Sequence, residues 1–328
     1  MTDYPKLAGL PIQVDAYDTE RRTFETQRFT RVTTTVVLSG GGLEGRGEDV
    51  TYEAPDHDRF PMDLPLAGEH TLDSLSARLD PFDLPDYRRW AFESAALDLA
   101  LRQGGKSLGE TVGRSYRPVR FVVSPGSDIR DWLAVDPSLE FKVDTRKDWT
   151  RALMDELAAT GRVRCVDIKG HYVGDWVDRV EPTQYRDVIE SFADAVIEDP
   201  AFTDESRDLL SGVADRLSFD APIHSVADIE ALEVRPGFMN VKPSRFGTCR
   251  RLFEALAYCD DHGLRMYGGG QFELGVGRDQ IQALASLYYP DGANDVAPGV
   301  YNEPPPRPGL PNTPLRLLTP ARGFGQMT

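Results

Sequence analysis

The sequence predicts an α/β protein, a parallel sheet closed as a barrel and preceded by a small α+β unit. Three observations predict it. After Pro118, seven short apolar segments alternate with stretches of helical character, the pattern of a parallel sheet with crossover helices. Before them lie a β-branched hairpin and then an Ala-rich helix, strands first and helices after. The chain has 328 residues, 40% of them hydrophobic, which is room for a barrel of roughly 250 residues with attachments.

In chain order, residues 29–38, FTRVTTTVVL, run into Ser39-Gly40-Gly41-Gly42 and a second extended piece over 43–52, a hairpin signal. The pattern turns helical over Leu72–Leu79 and Tyr87–Leu101. In the second stretch Trp90, Ser94, Leu97 and Leu101 share one face, and Gly104-Gly105 ends it. The strand candidates that follow are VRFVVS (119–124), LEFKV (139–143), VRCVDI (163–168), DAVIED (194–199), RLSFD (216–220), FMNVK (238–242) and LRMYGG (264–269). Helical stretches between them include TRKDWTRALMDELAAT, EPTQYRDVIESFADA and TCRRLFEALAYCDDHG, and a last helix covers 278–288. The division expected is 1–115 for the α+β unit, 116–300 for the barrel, and 301–328 for a Pro-rich tail packed back on one of them.

Composition excludes several functions. Lys plus Arg number 37 against 53 Asp plus Glu, a net charge of −16, and such a surface repels polyphosphate backbones and anionic lipid. Nucleic-acid and membrane partners are therefore not expected. The start, MTDYPKLAGLPIQVDAYDTE, lacks the basic-then-apolar order of a signal peptide. Cys165, Cys249 and Cys259 form no CxxC, which suits reduced thiols and a cytoplasmic location. The five histidines, at 57, 70, 171, 224 and 262, have no zinc-ligand spacing. Glycine runs 40–42 and 268–270 lack phosphate-loop spacing and read as a turn and a strand end.

Five charges interrupt apolar strand ends: Lys142, Asp167, Glu198, Asp220 and Lys242. In a parallel barrel the C-terminal strand ends share one mouth, so residues far apart in sequence converge there. Three carboxylates suit a hard cation such as Mg²⁺. Two lysines flanking them suit proton transfer at a carbon beside a carboxylate, because a divalent ion stabilises the enediolate that forms. A lysine base must be partly unprotonated, which asks for a pKa brought below ~10.4. Taken singly, each charge also reads as a solvated loop residue or a helix cap; Asp199 and Asp204 are candidate N-caps, and Lys242 before Pro243 could simply leave the sheet.

At these residues the chain resembles the enolase superfamily, in its muconate-lactonizing-enzyme-like branch with dipeptide epimerases and o-succinylbenzoate synthases. Gly42-Leu43-Glu44-Gly45-Arg46-Gly47-Glu48 resembles the Gly-rich hairpin of the capping domain, and Phe92-Glu93-Ser94-Ala95-Ala96-Leu97-Asp98-Leu99-Ala100 its Ala-rich helix, which runs on to Leu108-Gly109-Glu110-Thr111-Val112-Gly113. Val241-Lys242-Pro243-Ser244-Arg245-Phe246-Gly247 is similar to the strand-six lysine motif, and 269–278, GGQFELGVGR, to the strand-seven segment. The resemblance implies a capping α+β domain on a (β/α)₇β TIM-like barrel. It further implies one Mg²⁺ on Asp167, Glu198 and Asp220, Lys142 and Lys242 as the acid/base pair, Glu273 near a small-molecule carboxylate substrate, and a homo-oligomer.

Three positions depart from the family pattern. The usual Lys-x-Lys of strand two reads Glu140-Phe141-Lys142, and a glutamate there is expected to raise the Lys142 pKa. The Asp-x-Asn of strand three reads Asp167-Ile168-Lys169, so Lys169 is a candidate for the displaced positive charge, for an acid/base itself, or for a substrate contact. The carboxylate pair of strand five is reduced to Asp220-Ala221-Pro222. The expected activity is racemase, epimerase or cycloisomerase. Dehydration or β-elimination, a catalytically silent descendant, and an unrelated glycosidase using Glu198 and Asp220 are the other readings.

Overall fold

The structure is a computed structural model that describes residues 1–26, 29–125, 128–172, 174, 177–302, 305–318 and 320–325. Its N-terminal part carries two antiparallel sheets. Strand β1 (Pro11–Val14) pairs with β5 (Gly68–Thr71), and β2 (Ala16–Glu25), β3 (Thr30–Gly40) and β4 (Leu43–Asp49) form a meander. The predicted hairpin is β3–β4. Strand β2 was not expected, since AYDTERRTFE alternates polar with polar and lies at an exposed edge.

The helix Asp86–Gln103 lies across this meander with fourteen consecutive residues, Arg88 to Leu101, buried. Two glycines of β4 permit the contact. A Cβ on Gly45 would collide with Leu99 N and Ala95 O, and one on Gly47 with Ala91 O and Ser94 Oγ. Small residues on the helix and no side chain on the sheet bring two backbones together, which is what the Ala-rich and Gly-rich segments are for.

After Pro118 the parallel strands appear in the expected order. Strands β6 (Phe141–Asp144), β7 (Val163–Asp167), β8 (Val196–Glu198) and β9 (Leu217–Ser218) form one parallel ladder, and β10 (Phe238–Val241) with β11 (Arg265–Gly268) another. A few backbone hydrogen bonds join the ladders. Asn240 N donates to Phe219 O at 3.2 Å between β9 and β10, and Asp295 N to Gly268 O at 2.8 Å beyond β11. Val122 N donates to Asn294 O at 2.8 Å, and Lys142 N to Val123 O at 3.1 Å, which brings the path back to β6. Helices Arg151–Ala159, Tyr185–Ser191, Cys249–His262 and Val276–Tyr288 cover the expected helical stretches.

The Pro-rich end folds back along the molecule. Leu315 exchanges backbone hydrogen bonds with Val119 at 2.9 and 2.7 Å. Gly323 bonds Lys106 O and Leu108 N, and the buried Phe324 ring meets Trp90 edge-on. Glu303, Pro304, Thr319 and residues 326–328 of this tail lie outside the described residues. All three cysteines are free and buried.

Candidate active site

Five strand ends supply the site, and the reason is periodicity. Side chains alternate along a strand, so a charge that ends an inward-facing set stays on the inner side at the rim. Asp167 ends β7, Glu198 ends β8, Lys142 lies within β6, Asp220 follows β9 by two residues and Lys242 directly follows β10. All five are buried, none more than 7% exposed. The structure places the five predicted residues in two sets of ion pairs, Lys142 with Asp167 and Glu198, and Lys242 with Asp220.

Carboxylate oxygens of Asp167, Glu198 and Asp199 lie within 4.8 Å of one another, a group able to hold a metal ion. Asp220 falls outside this compact group. Its oxygens meet Lys242 Nζ at 2.5 Å and Arg245 Nε at 2.8 Å, and neither contact has hydrogen-bond directionality. Lys142 Nζ lies 2.6 Å from Glu198 Oε1 and 3.3 Å from Asp167 Oδ2. Lys169 Nζ lies 3.1 Å from Asp167 Oδ2 and 3.2 Å from Asp144 Oδ1, and its own backbone N–H donates to Asp167 Oδ1 at 3.0 Å. Asp167, Glu198 and Asp220 are therefore each paired with Lys or Arg side chains, as buried carboxylates must be.

Two residues of this network went unread in the sequence. Asp199 is not an N-cap: it adopts φ 50° and its carboxylate accepts the backbone N–H groups of Asp220 at 2.7 Å and Ala221 at 2.9 Å. It clamps the exit of β9. Arg245 is buried against Asp220 and also donates to Tyr172 Oη at 2.9 Å. The only signal for Arg245 was its place three residues after Lys242 in the strand-six motif. Gly269 lets the next strand approach, since a Cβ there would press on Asn240 Oδ1 and Lys242 Cε.

Electrostatics reverse one expectation. Burial would lower the Lys142 pKa, but Glu198 and then Asp167 hold it well above the ordinary lysine value, and Asp220 does the same for Lys242. Both lysines are protonated while those ion pairs last. Burial would raise the Asp167 carboxyl, yet Lys169, Lys142 and Lys242 hold it below the usual range. Asp199 is pushed well above it, by burial and then by Asp220 and Asp167. Glu140 is not what raises Lys142. It is held by Arg120 at 2.6 and 2.8 Å and by Arg164 at 2.7 Å, and the pairing register of β6 shifts between Phe141 and Lys142.

Glu273 lies apart from the carboxylate group. Its Oε1 accepts the Gln271 N–H at 2.7 Å and its Oε2 lies 3.4 Å from Arg278. The loop bearing it is tied to the N-terminal sheet. Buried Arg31 donates to Val50 O and Thr51 O on one side and to Gln271 O and Phe272 O on the other. Glu48 accepts N–H groups from Leu274, Gly275 and Gly277, which places a carboxylate at the start of helix Val276–Tyr288. This is the work of the Glu that ends the Gly-rich hairpin.

An N-terminal meander under an Ala-rich helix, followed by parallel strands, is the fold this chain shares with solved structures of muconate lactonizing enzymes. Solved structures show the likeness. Muconate lactonizing enzyme from Pseudomonas putida superposes with a TM-score of 0.71 at 19% identity, covering 95% of this chain and 96% of that one. An enolase superfamily member of unknown function from Enterococcus faecalis gives 0.68 at 20% identity over 96% and 94%. Muconate cycloisomerase from Pseudomonas fluorescens gives 0.66 at 19% over 87% of each chain. Within that fold the chain belongs to the family described as Domain of unknown function (DUF8230), whose C-terminal domain matches residues 115–303 and whose N-terminal domain matches 5–111. No curated protein sequence matches it significantly. Among the described residues no helix is long and apolar enough to cross a membrane.

Proposed function

We propose that the protein is a Mg²⁺-dependent enzyme that removes the α-proton of a small carboxylate substrate, as a racemase, epimerase or cycloisomerase. We read the parallel strands as a (β/α)₇β barrel closed through the hydrogen bonds at Asn240, Asp295, Val122 and Lys142. In this reading 1–115 is its capping domain, 116–300 the barrel, and 301–328 a tail that packs back on the capping domain or the barrel. The observation that carries the proposal is a buried cluster of carboxylates from adjacent strand ends with a lysine on either flank.

The donor set fits a hard cation. All candidate ligands are carboxylate oxygens, and the two Asp220 oxygens are buried without a hydrogen-bond partner. Asp167, Glu198 and Asp220 would hold the ion, while Asp199, whose two oxygens are taken by backbone N–H groups, fixes the turn that carries Asp220. Bound there, Mg²⁺ supplies Lewis acidity to a substrate carboxylate as negative charge develops on it.

The side chains do the rest. Lys142 and Lys242 approach the cluster from different strands, and each is kept protonated by the carboxylates it now pairs with. A lysine relieved of that pairing first gives up its own proton to solvent and, as a neutral amine, takes the α-proton. The other, still an ammonium, delivers a proton to the opposite face, which inverts the centre. Where only one acts as base, the other remains a cation beside the developing charge, which serves elimination or cycloisomerisation. Lys169 supplies the positive charge that Glu140 does not.

The test is α-proton exchange in D₂O with Mg²⁺, using N-acyl amino acids, dipeptides, muconate-type acids and sugar acids. Deuterium is expected at the α-carbon of at least one class and not after chelation. Lys169→Met is expected to slow the exchange roughly tenfold, the worth of one charge-assisted hydrogen bond. No exchange across these classes, or glycoside hydrolysis without metal, overturns the proposal.

A further inference from the structure

Beneath the rim lies a second inward-facing layer. Cys165, Ser218, Asn240 and Tyr267 each stand two residues before Asp167, Asp220, Lys242 and Gly269 on their own strands, so they share the inner face one layer deeper. All four are buried, and three of them reach Glu198. Tyr267 Oη lies 2.5 Å from Glu198 Oε2, and Cys165 Sγ lies 3.3 Å from the same oxygen. Asn240 Nδ2 donates to the other oxygen, Oε1, at 3.0 Å, where Lys142 also points.

A phenol has one proton to give. Ser218 Oγ stands 3.0 Å from the Tyr267 hydroxyl, but a carboxylate is the stronger acceptor, so the proton goes to Glu198 and Ser218 can in turn donate to the phenol oxygen. Glu198 is wholly buried, so its torsions are set by these partners alone. The tyrosine ring comes from β11 and reaches the end of β8 through the sheet interior.

We propose that Tyr267 is a positioning residue for the divalent-cation site: its hydroxyl holds Glu198 Oε2 to the floor and leaves Oε1, which now accepts from Asn240 and Lys142, as the cation's ligand. Cys165 is the weaker second donor to the same oxygen. This rests on the Mg²⁺ reading above and adds to it a residue from the layer below. Partners that orient a metal ligand without touching the metal typically contribute 10–100-fold in affinity.

The experiment is calorimetric titration of the full-length protein with Mg²⁺ alone, without substrate. Tyr267→Phe keeps the ring and removes only the hydroxyl. Its Kd for Mg²⁺ is expected to rise about tenfold or more, with the far-ultraviolet circular dichroism of the parent retained. Cys165→Ala, which keeps every tyrosine contact to Glu198, is expected to weaken binding in the same direction by less, and it serves if Tyr267→Phe does not fold. A purely structural role for Tyr267 would lower thermal stability and leave Kd unchanged, and that result overturns the proposal. A parent protein that takes up no Mg²⁺ overturns the site reading together with it, whereas parent and variant binding with equal affinity overturn this inference alone.

Discussion

At the scale of single residues, buried charge is tolerated only when paired, and Asp279 is an informative exception. Burial, with Glu48 close by, pushes its carboxyl from 3.8 up to about 6. The folded chain then holds this proton more tightly than the unfolded chain, so stability falls as pH rises from 3.8 to about 6 and the loss is complete above that. Asp279→Asn removes the loss. It is expected to be more stable than the parent near pH ~7.5 by about 1 kcal/mol after solvent screening, with the difference vanishing near pH ~4. Urea denaturation at the two pH values checks this, and a constant difference contradicts it. The same rule made the site partly legible. A Lys or Asp that interrupts an apolar strand must have a partner, so Lys142, Asp167, Glu198, Asp220 and Lys242 stood out against their neighbours. Asp199 and Arg245 sit in turns, where charge is ordinary, and only the folded chain gives them meaning.

At the scale of elements, helices and strands with a clear period were readable: the β-branched run of β3, the Ala-rich face of Asp86–Gln103, and the alternation after Pro118. Strand β2 was not, because an exposed edge strand buries little and its pattern carries no apolar alternation. Besides its backbone pairings with Val119, Lys106 and Leu108, the tail is held by one carboxylate of the long helix. Asp98 Oδ1 accepts the Phe324 N–H at 2.8 Å, and Oδ2 accepts Arg46 N–H at 3.0 Å and Arg102 Nε at 2.9 Å. One side chain thus ties hairpin, helix and tail together. Asp98→Ala leaves Arg102 and two backbone donors without their partner and is expected to cost about 3 kcal/mol in denaturant unfolding. A loss under ~1 kcal/mol would mean that the tail is anchored elsewhere.

At the scale of the whole molecule, three non-glycine residues among those described hold positive φ: Lys169, Asp199 and Phe272. Each directly follows or lies just beyond the C-terminal end of a parallel strand, and all three border the candidate site or the loop above it. Strain of this kind persists where surrounding contacts over-determine the backbone, and it gathers at functional sites. Arg31 and Glu48 carry the N-terminal sheet onto the loop after β11, so the two parts meet beside the site. Sequence periodicity gave the order of the strands, while the hydrogen bonds linking β9 to β10 and β11 back to β6 depend on distant partners that no local pattern specifies.

The central claim is that three carboxylates, Asp167, Glu198 and Asp220, now paired with Lys142, Lys169, Lys242 and Arg245, exchange part of that pairing for a divalent cation. A crystal structure grown with Mn²⁺ in place of Mg²⁺ tests it most directly. The account predicts an anomalous peak in contact with Asp167, Glu198 and Asp220, with Lys242 released from Asp220. A peak held by Asp199 while the Lys242–Asp220 pair stays closed contradicts the ligand assignment, and no peak among these residues contradicts the claim itself.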